Sequence, residues 1–419
     1  MTLPSSQNIT RVVLDNGLTI LVYENFAAQS VVIQGSLQVG SAYEPADKNG
    51  LASLTASALM RGTTTRDFTA IHEALEDVGA DIGVGGGWYR TNISGKALAE
   101  DLPTLLDVLA DVLRHPTFPE AHVDRLRGEI ITGLRIRSQD TRYRANRAFY
   151  EALYPEGHPY HASVRGSEES VAALSVADLA AFHQATYGAK GMIIAVVGAI
   201  NAADAVELVR GRFGDWHNPH QPDHAPVVDA PVITAGKRAV VTLPGKTQAD
   251  IVLGLVGPSR QSPDFTAAQL ANSVLGQFGM MGRVGKSVRE QGGMAYYAYS
   301  QLEGGIAPLP WAVSAGVNPQ NIDAAIQKIT DEIQRLTTEA ISEEDLADNQ
   351  AYFTGHLPLQ LESNEGIGDT LHNMELHGRG LDYLVNYRDL IYSTTREQIL
   401  ATAQRYLHPD KLVIGIATP

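Results

Sequence analysis

The chain is expected to be α+β: two duplicated α/β-sandwich domains, each a mixed sheet with helices packed on one face, related by an internal repeat of about 220 residues. Three observations predict this. Short β-branched runs alternate with longer runs whose apolar residues recur at spacings of three and four. The second half repeats the first nearly in register: Leu102, Leu106, Leu109 and Leu113 fall on Ile322, Ile326, Ile329 and Ile333, Val31 on Ile251, Leu179 on Ile399, and Met192 on Leu412. Finally, 419 residues exceed one ordinary core, and a proline-rich stretch lies between the halves. The division that follows is an N-terminal domain over 1–213, a linker over 214–231 and a C-terminal domain over 232–419.

In chain order, 11–24 reads as two β runs around Asp15-Asn16-Gly17, a hairpin signal. Residues 30–41, rich in Val and Ile, form a further strand, and 50–62 a helix closed by Gly62. A second amphipathic helix covers 68–78. Gly85-Gly86-Gly87 reads as a flexible loop or, less often, a close backbone approach, ahead of strand-like 89–93. Residues 102–113 carry Leu105, Leu106, Leu109 and Leu113 on one helical face. Longer helical patterns cover 119–137 and 144–154, with a loop at 157–160. Ser175 is placed to cap a helix over 175–187, and 192–197 is a short buried strand. The linker is marked by Pro219, Pro222, Pro226 and Pro231. Strands over 239–243 and 251–256, helices over 265–275, 322–333, 342–353 and 396–406, and a closing strand over 412–416 complete the second half.

The composition, 44% hydrophobic and 19% charged, is that of a globular protein. A net charge of -15 argues against nucleic acid, whose phosphates require clustered Lys and Arg. It suits a cavity that attracts basic peptides. There are no cysteines, so disulfides and thiolate metal sites are excluded. No apolar run is long enough to span a membrane, and residues 1–10 show no signal-peptide pattern. The expected location is the cytoplasm, or the periplasm if a signal peptide has been removed.

Residues 50–63 read Gly-Leu-Ala-Ser-Leu-Thr-Ala-Ser-Ala-Leu-Met-Arg-Gly-Thr, and Ser53, Ala56 and Ser57 share one helical face. With the two repeated halves and the proline-rich linker, this stretch makes the chain resemble the pitrilysin (insulinase-type) zinc peptidases. The likeness is to the short-subunit branch that contains the mitochondrial processing peptidase and bacterial relatives, and it runs from about Arg11 to Ile416. The family phrase Gly-Leu-Ala-His-x-x-Glu-His…Gly-Thr aligns without a gap. Its two His ligands fall on Ser53 and Ser57, its general base on Ala56, and the third ligand, a Glu, on Gly133. Zinc needs three protein ligands and a water, and serine hydroxyls do not serve at neutral pH, so no metal or other cofactor is expected in this chain.

A second family signature is present. Arg289-Glu290-Gln291-Gly292-Gly293-Met294-Ala295-Tyr296 resembles the segment carrying the Arg/Tyr pair of the C-terminal domain. The resemblance implies that Arg289 and Tyr296 hydrogen-bond the substrate carbonyl beside a zinc ion, a task suited to a guanidinium fork and a phenol. Arg283 matches a frequent family Arg of less defined role, and Tyr297 and Tyr299 are neighbours that compete with Tyr296 for the assignment. A motif lost in one half and kept in the other resembles the non-zinc subunit of two-chain bacterial members. The implied partner is a zinc-bearing homologous subunit in a heterodimer, with a homodimer in its absence and unfolded peptides as substrate. Alone, the chain is expected to be inactive. The alternatives are a structural subunit like the respiratory-chain core proteins and a homodimeric peptide-binding protein without chemistry.

Two family features are missing. The glycine-rich loop of the processing peptidase's non-zinc subunit is not matched by Gly276, Gly279, Gly282 and Gly285, and Gly83-Val84-Gly85-Gly86 replaces the edge-strand phrase Asn-Ala-x-Thr. Other signals lead nowhere. His217, His220 and His224 have ligand-like spacing but lie in the linker, and Gly245-Lys246-Thr247 lacks the earlier glycine of a phosphate loop, Val240 standing there. His158 and His161 match a structural loop of the family, and no nucleophile-elbow phrase surrounds Ser53 or Ser57. Lys48 and Asn49 read as a polar approach to the helix.

Overall fold

A computed structural model describes residues 3–224, 227–277 and 282–419; Pro226 of the linker and Gly279 of the glycine series lie outside them. The chain divides into two compact units, residues 1–134, 163–226 and 357–386 in one and 135–162, 227–356 and 387–419 in the other. The sequence repeat and the compact units are thus different divisions of the same chain.

The first unit holds a six-stranded sheet of β1 (Ile9–Val13), β2 (Thr19–Glu24), β3 (Ser30–Leu37), β4 (Asp81–Gly86), β5 (Thr91–Leu98) and β6 (Ile193–Gly198), in the order β1-β2-β6-β3-β5-β4. β1 and β2 pair antiparallel across the predicted Asp15-Asn16-Gly17 turn, where the Gly17 N–H donates to Leu14 O at 2.9 Å. β2 and β6 run parallel, and the other pairs are antiparallel. Alternate side chains serve two cores. Ile20, Val22, Ile33, Ile194 and Val196 pack with Leu105, Leu109, Leu179 and Val209 from helices Leu102–Arg114, Val176–Thr186 and Ala202–Phe213. Leu21, Tyr23, Val32, Ala195 and Val197 face the other way, onto Ile367, Leu371 and Met374 of the helix Asn364–Leu376. Ser175 caps its helix as expected, in a reciprocal capping box with Asp178.

Among the described residues, the second unit repeats this plan without an equivalent of β1. Its strands are β7 (Lys237–Thr242), β8 (Ala249–Val256), β9 (Ala295–Leu302), β10 (Pro310–Val317) and β11 (Val413–Thr418), ordered β7-β11-β8-β10-β9 with β7 and β11 parallel. Shifting β6 by about 220 residues lands on β11, and β2, β3 and β5 land on β7, β8 and β10. Ile251, Leu253, Val313, Ile329, Ile333 and Ile399 form the core on the face covered by helices Phe265–Asn272, Ile322–Thr338 and Arg396–Tyr406. The helix Thr141–Leu153 covers part of the opposite face, over β7, β8 and β11. It comes very close at Gly415, where a Cβ would sit 2.3 Å from Ala145 O. Only glycine admits that approach.

Helices 141–153 and 364–376 occupy equivalent places in the two repeats, and each belongs to the compact unit built mainly from the other repeat. The expected helix layer on one sheet face is therefore joined by a single exchanged helix on the other. The linker also departs from a purely solvated segment in its first part. Trp216 and Gln221 are buried, and the buried Asn16 side chain donates to Phe213 O at 2.6 Å.

The 364–376 helix docks through a buried polar contact as well as apolar ones. His372 Nε2 lies 2.7 Å from Ser36 Oγ, and Arg90 donates from Nε to the same hydroxyl at 3.0 Å and from Nη2 to Gly191 O at 2.7 Å. Burial, with the Arg90 charge nearby, pushes the His372 imidazole down to about 4. The unfolded chain binds this proton near pH 6.5, so the folded state binds fewer protons between pH 6.5 and about 4. Stability from this group is accordingly complete above pH 6.5 and lost as pH falls towards 4, by roughly 3 kcal/mol in all. His372→Gln is expected to flatten the pH dependence of urea-unfolding stability over that range relative to the parent. Leu371→Ala should cost about 2–5 kcal/mol at neutral pH in the same measurement.

Candidate functional site

The phrase 50–63 is held as a rigid frame. Gly50 takes φ 95° at the N-terminus of helix Leu51–Ala58, a left-handed conformation that L side chains rarely adopt. The half-buried Glu44 carboxylate accepts from the Ala52 N–H at 2.7 Å and the Gly50 N–H at 3.3 Å, satisfying donors that the first turn leaves open. Burial pushes this carboxyl up to about 7, against the stabilisation its charge draws from those two N–H groups. At the other end the Thr63 hydroxyl donates to Asp111 Oδ2 at 2.7 Å, and Arg66 Nη1 donates to the same oxygen at 2.6 Å. Those bonds hold the Asp111 carboxyl below the usual range, although its burial opposes them. Lys48 pairs with Asp178 at 3.2 Å, which gives the polar approach to the helix a structural task.

Within that frame the reactive side chains are absent. Ser53 and Ser57 are half-buried one turn apart, and the Ser57 hydroxyl is spent on Ser53 O at 2.9 Å. Ala56 is fully buried, and Gly133, on the helix Glu120–Ser138, has open space where a Cβ would stand. No group of three His, Cys, Asp or Glu suited to a metal ion occurs among the described residues. Two hydroxyls, a methyl and a glycine do not fit zinc, which needs imidazole, thiolate or carboxylate donors. The glycine run beside this helix is the edge strand β4, not a loop. Gly86 packs on the helix backbone, where a Cβ would lie 3.0 Å from both Ala52 O and Ser53 Cα.

In the second unit, Arg289 lies in the last turn of the helical segment Gly285–Glu290 and is exposed. The chain then reverses, the Gly293 N–H donating to Arg289 O at 3.0 Å and the Met294 N–H to Val288 O at 3.1 Å, and enters the edge strand β9. β9 pairs Ala295 with Val317 and Tyr297 with Gly316, so Tyr296 is the extra residue of a β-bulge. Tyr296 is 63% exposed. The bulge distinguishes the three tyrosines. Tyr297 donates to Asp250 and stacks under Arg142, whose carbon lies 4.1 Å from the ring centre, while Tyr299 lines a cavity. Burial, then the Asp250 carboxylate, push the Tyr297 phenol above its ordinary range. Arg283 is mostly buried and pairs with Asp345 at 3.5 Å, a structural role.

Several arrangements that invite a chemical reading do not support one. Ser36 and His372 form a serine–histidine pair, but Ser36 is fully buried and its oxygen also accepts from Arg90, so no substrate reaches it. His217, His220 and His224 are exposed on the linker. Sequence reasoning missed a cavity of the second unit, lined by Arg142, Tyr150, Tyr299 and Glu303 among others. Its residues come from segments about 150 apart, and no local pattern joins them.

The comparisons with known proteins agree with this architecture. A model of the insulinase family (peptidase family M16) matches residues 20–158, and one of the peptidase M16 inactive domain matches residues 173–352. The chain is 26% identical over 412 residues to an uncharacterized zinc protease of Mycobacterium leprae, covering 96% of this chain and 90% of that one. It is 27% identical over 266 residues to cytochrome b-c1 complex subunit 1 of Bos taurus, covering 63% and 55%. A crystal structure of a peptidase M16 inactive domain from Pseudomonas fluorescens superposes with a TM-score of 0.89 at 24% identity, covering 98% of both chains. With the two matches together spanning most of both repeats, the chain belongs to the insulinase-type peptidase family, as a member whose zinc-motif positions are Ser53, Ala56, Ser57 and Gly133.

Proposed function

We propose that this chain is the zinc-free subunit of a heterodimeric metalloendopeptidase, working in the cytoplasm beside a homologous subunit that carries the metal. One contrast carries the reading. Every chemical position of the zinc motif is lost, while the Arg289 to Tyr296 phrase is kept and presents an exposed Arg and an exposed Tyr around a single turn and bulge. In this reading the partner supplies the metal and its water, and this chain binds the unfolded peptide. Arg289 and Tyr296 donate hydrogen bonds to the substrate carbonyl as negative charge develops on its oxygen. Placement at the end of a helical segment and on the strand that follows it supports such a role, because donors held by secondary structure need little rearrangement as the charge forms.

A second reading rests on the likeness to subunit 1 of the cytochrome b-c1 complex: a structural subunit with no part in cleavage. The two differ in whether Arg289 and Tyr296 matter. Co-expressed with a zinc-bearing homologue from the same source, the pair is expected to cleave unfolded peptides. Arg289→Ala and Tyr296→Phe should each then lower kcat/KM by roughly 10²-fold with assembly unchanged. Unaltered kcat/KM in both variants sinks the assignment and favours the structural reading. Purified alone, the chain should show only substoichiometric zinc by metal analysis and no peptide turnover. Stoichiometric zinc in the isolated chain contradicts the proposal.

A further inference from the structure

The second unit contains a cavity of about 500 Å³ on the sheet face that the helix 141–153 covers only in part. Its floor is made by alternate residues of β8, β10 and β9, and its wall by the helix. The size falls within the range of small-ligand sites, roughly 300–1,000 Å³.

Its two ends differ in charge. At one end the half-buried Glu303 carboxyl accepts from the Tyr150 hydroxyl at 2.9 Å. No Lys or Arg among the described residues pairs with it. Loss of water holds this carboxyl above the usual carboxylate range, as expected of an acid lacking a counter-charge. The ring of Tyr150 lies beside the same space, and aromatic faces attract cations. The C-terminal part of the helix, where carbonyl dipoles also favour positive charge, lies at this end.

At the other end stand Arg137 and Arg142, near the N-terminus of the same helix. Asp140 caps the helix, its Oδ1 accepting from the Tyr143 N–H at 2.7 Å, and Asp250 lies near Arg142. Arg142 uses Nε on Tyr297 at 3.1 Å, which leaves its Nη groups for a ligand. The two ends are separated by eight residues of helix, about 12 Å at 1.5 Å per residue. An extended peptide covers about 3.3–3.6 Å per residue, so two to four residues fit between them. Asn146, between Arg142 and Tyr150 on the helix, and Ser314 on the floor add hydrogen-bonding groups along the way.

We propose that this cavity binds a short peptide of two to four residues with both termini free, its ammonium on Glu303 beside Tyr150, and its carboxylate on Arg142 and Arg137. The site is separate from Arg289 and Tyr296 and needs no partner subunit. A ligand of this class is what a peptidase complex releases, so the cavity suits product capture or feedback by product.

The test is calorimetry on the isolated full-length chain with the tripeptide Ala-Phe-Ala, its N-acetylated form and its C-terminal amide. The free tripeptide is expected to bind, and acetylation and amidation each to weaken binding at least tenfold on the unaltered protein. Glu303→Gln, which keeps an acceptor for Tyr150, should weaken the free tripeptide at least tenfold. It should leave the acetylated form unchanged, with circular dichroism and melting temperature as controls for folding. Absence of binding at millimolar tripeptide overturns the proposal, as does equal binding of all three peptides. Failure here leaves the roles assigned to Arg289 and Tyr296 intact, because those are read out by cleavage in the two-subunit complex.

Discussion

The central strands of each sheet are buried on both faces, and that constraint organises the rest. A strand such as β6, buried along its whole length, cannot leave either side to water without exposing several aliphatic side chains, each worth roughly 1.5–3 kcal/mol when buried. The helices of a sheet's own repeat cover one side only. The other side of the first sheet is covered by Ile367, Leu371 and Met374, and that of the second by the helix resting on Gly415. Each repeat thus lends a helix to the other's unit, and the two halves depend on one another to complete their cores. The loan also shapes the cavity of the second unit, because one helix is too narrow to cover five strands.

The zinc-motif stretch shows how scaffold and chemistry separate. Glu44 and Gly50 fix the start of the helix, and Thr63 with Asp111 fixes its end. None of these contacts involves a metal. The frame of the phrase is therefore kept by folding requirements, and its presence identifies the fold while saying nothing of the reaction. In the second unit the emphasis is reversed: Tyr296 is exposed on a bulge and contributes little to the core, so its retention within an otherwise family-like phrase is not accounted for by packing.

Much of the fold was legible because its signals are local. The Asp15-Asn16-Gly17 turn, the leucine stripe of 102–113 and the Ser175 cap each depend on residues within one or two turns of each other. The repeat was legible because the same pattern occurs twice. The glycine run at 85–87 was ambiguous, since glycine gives no side-chain pattern; packing against Ala52 and Ser53 makes it an edge strand. The helix 364–376 was not recognised, because its polar residues, among them the buried Asn364 and His372, find partners only in the other repeat. The proline-rich linker likewise conceals Trp216, and the hook of Asn16 onto residues 213–216 is a contact at long sequence separation.

The sequence by itself determined three things: the duplicated α+β architecture, the family, and the absence of zinc-binding side chains at Ser53, Ala56, Ser57 and Gly133. These follow from residue identity and periodic pattern, which need no knowledge of which segments meet. The tertiary structure alone decided which helix completes which sheet, which of three adjacent tyrosines stands in the open, and that Tyr150 and Glu303 share a cavity. The first and last depend on contacts between segments over 100 residues apart, and the second on a one-residue bulge between neighbouring strands, none of which a local pattern reveals.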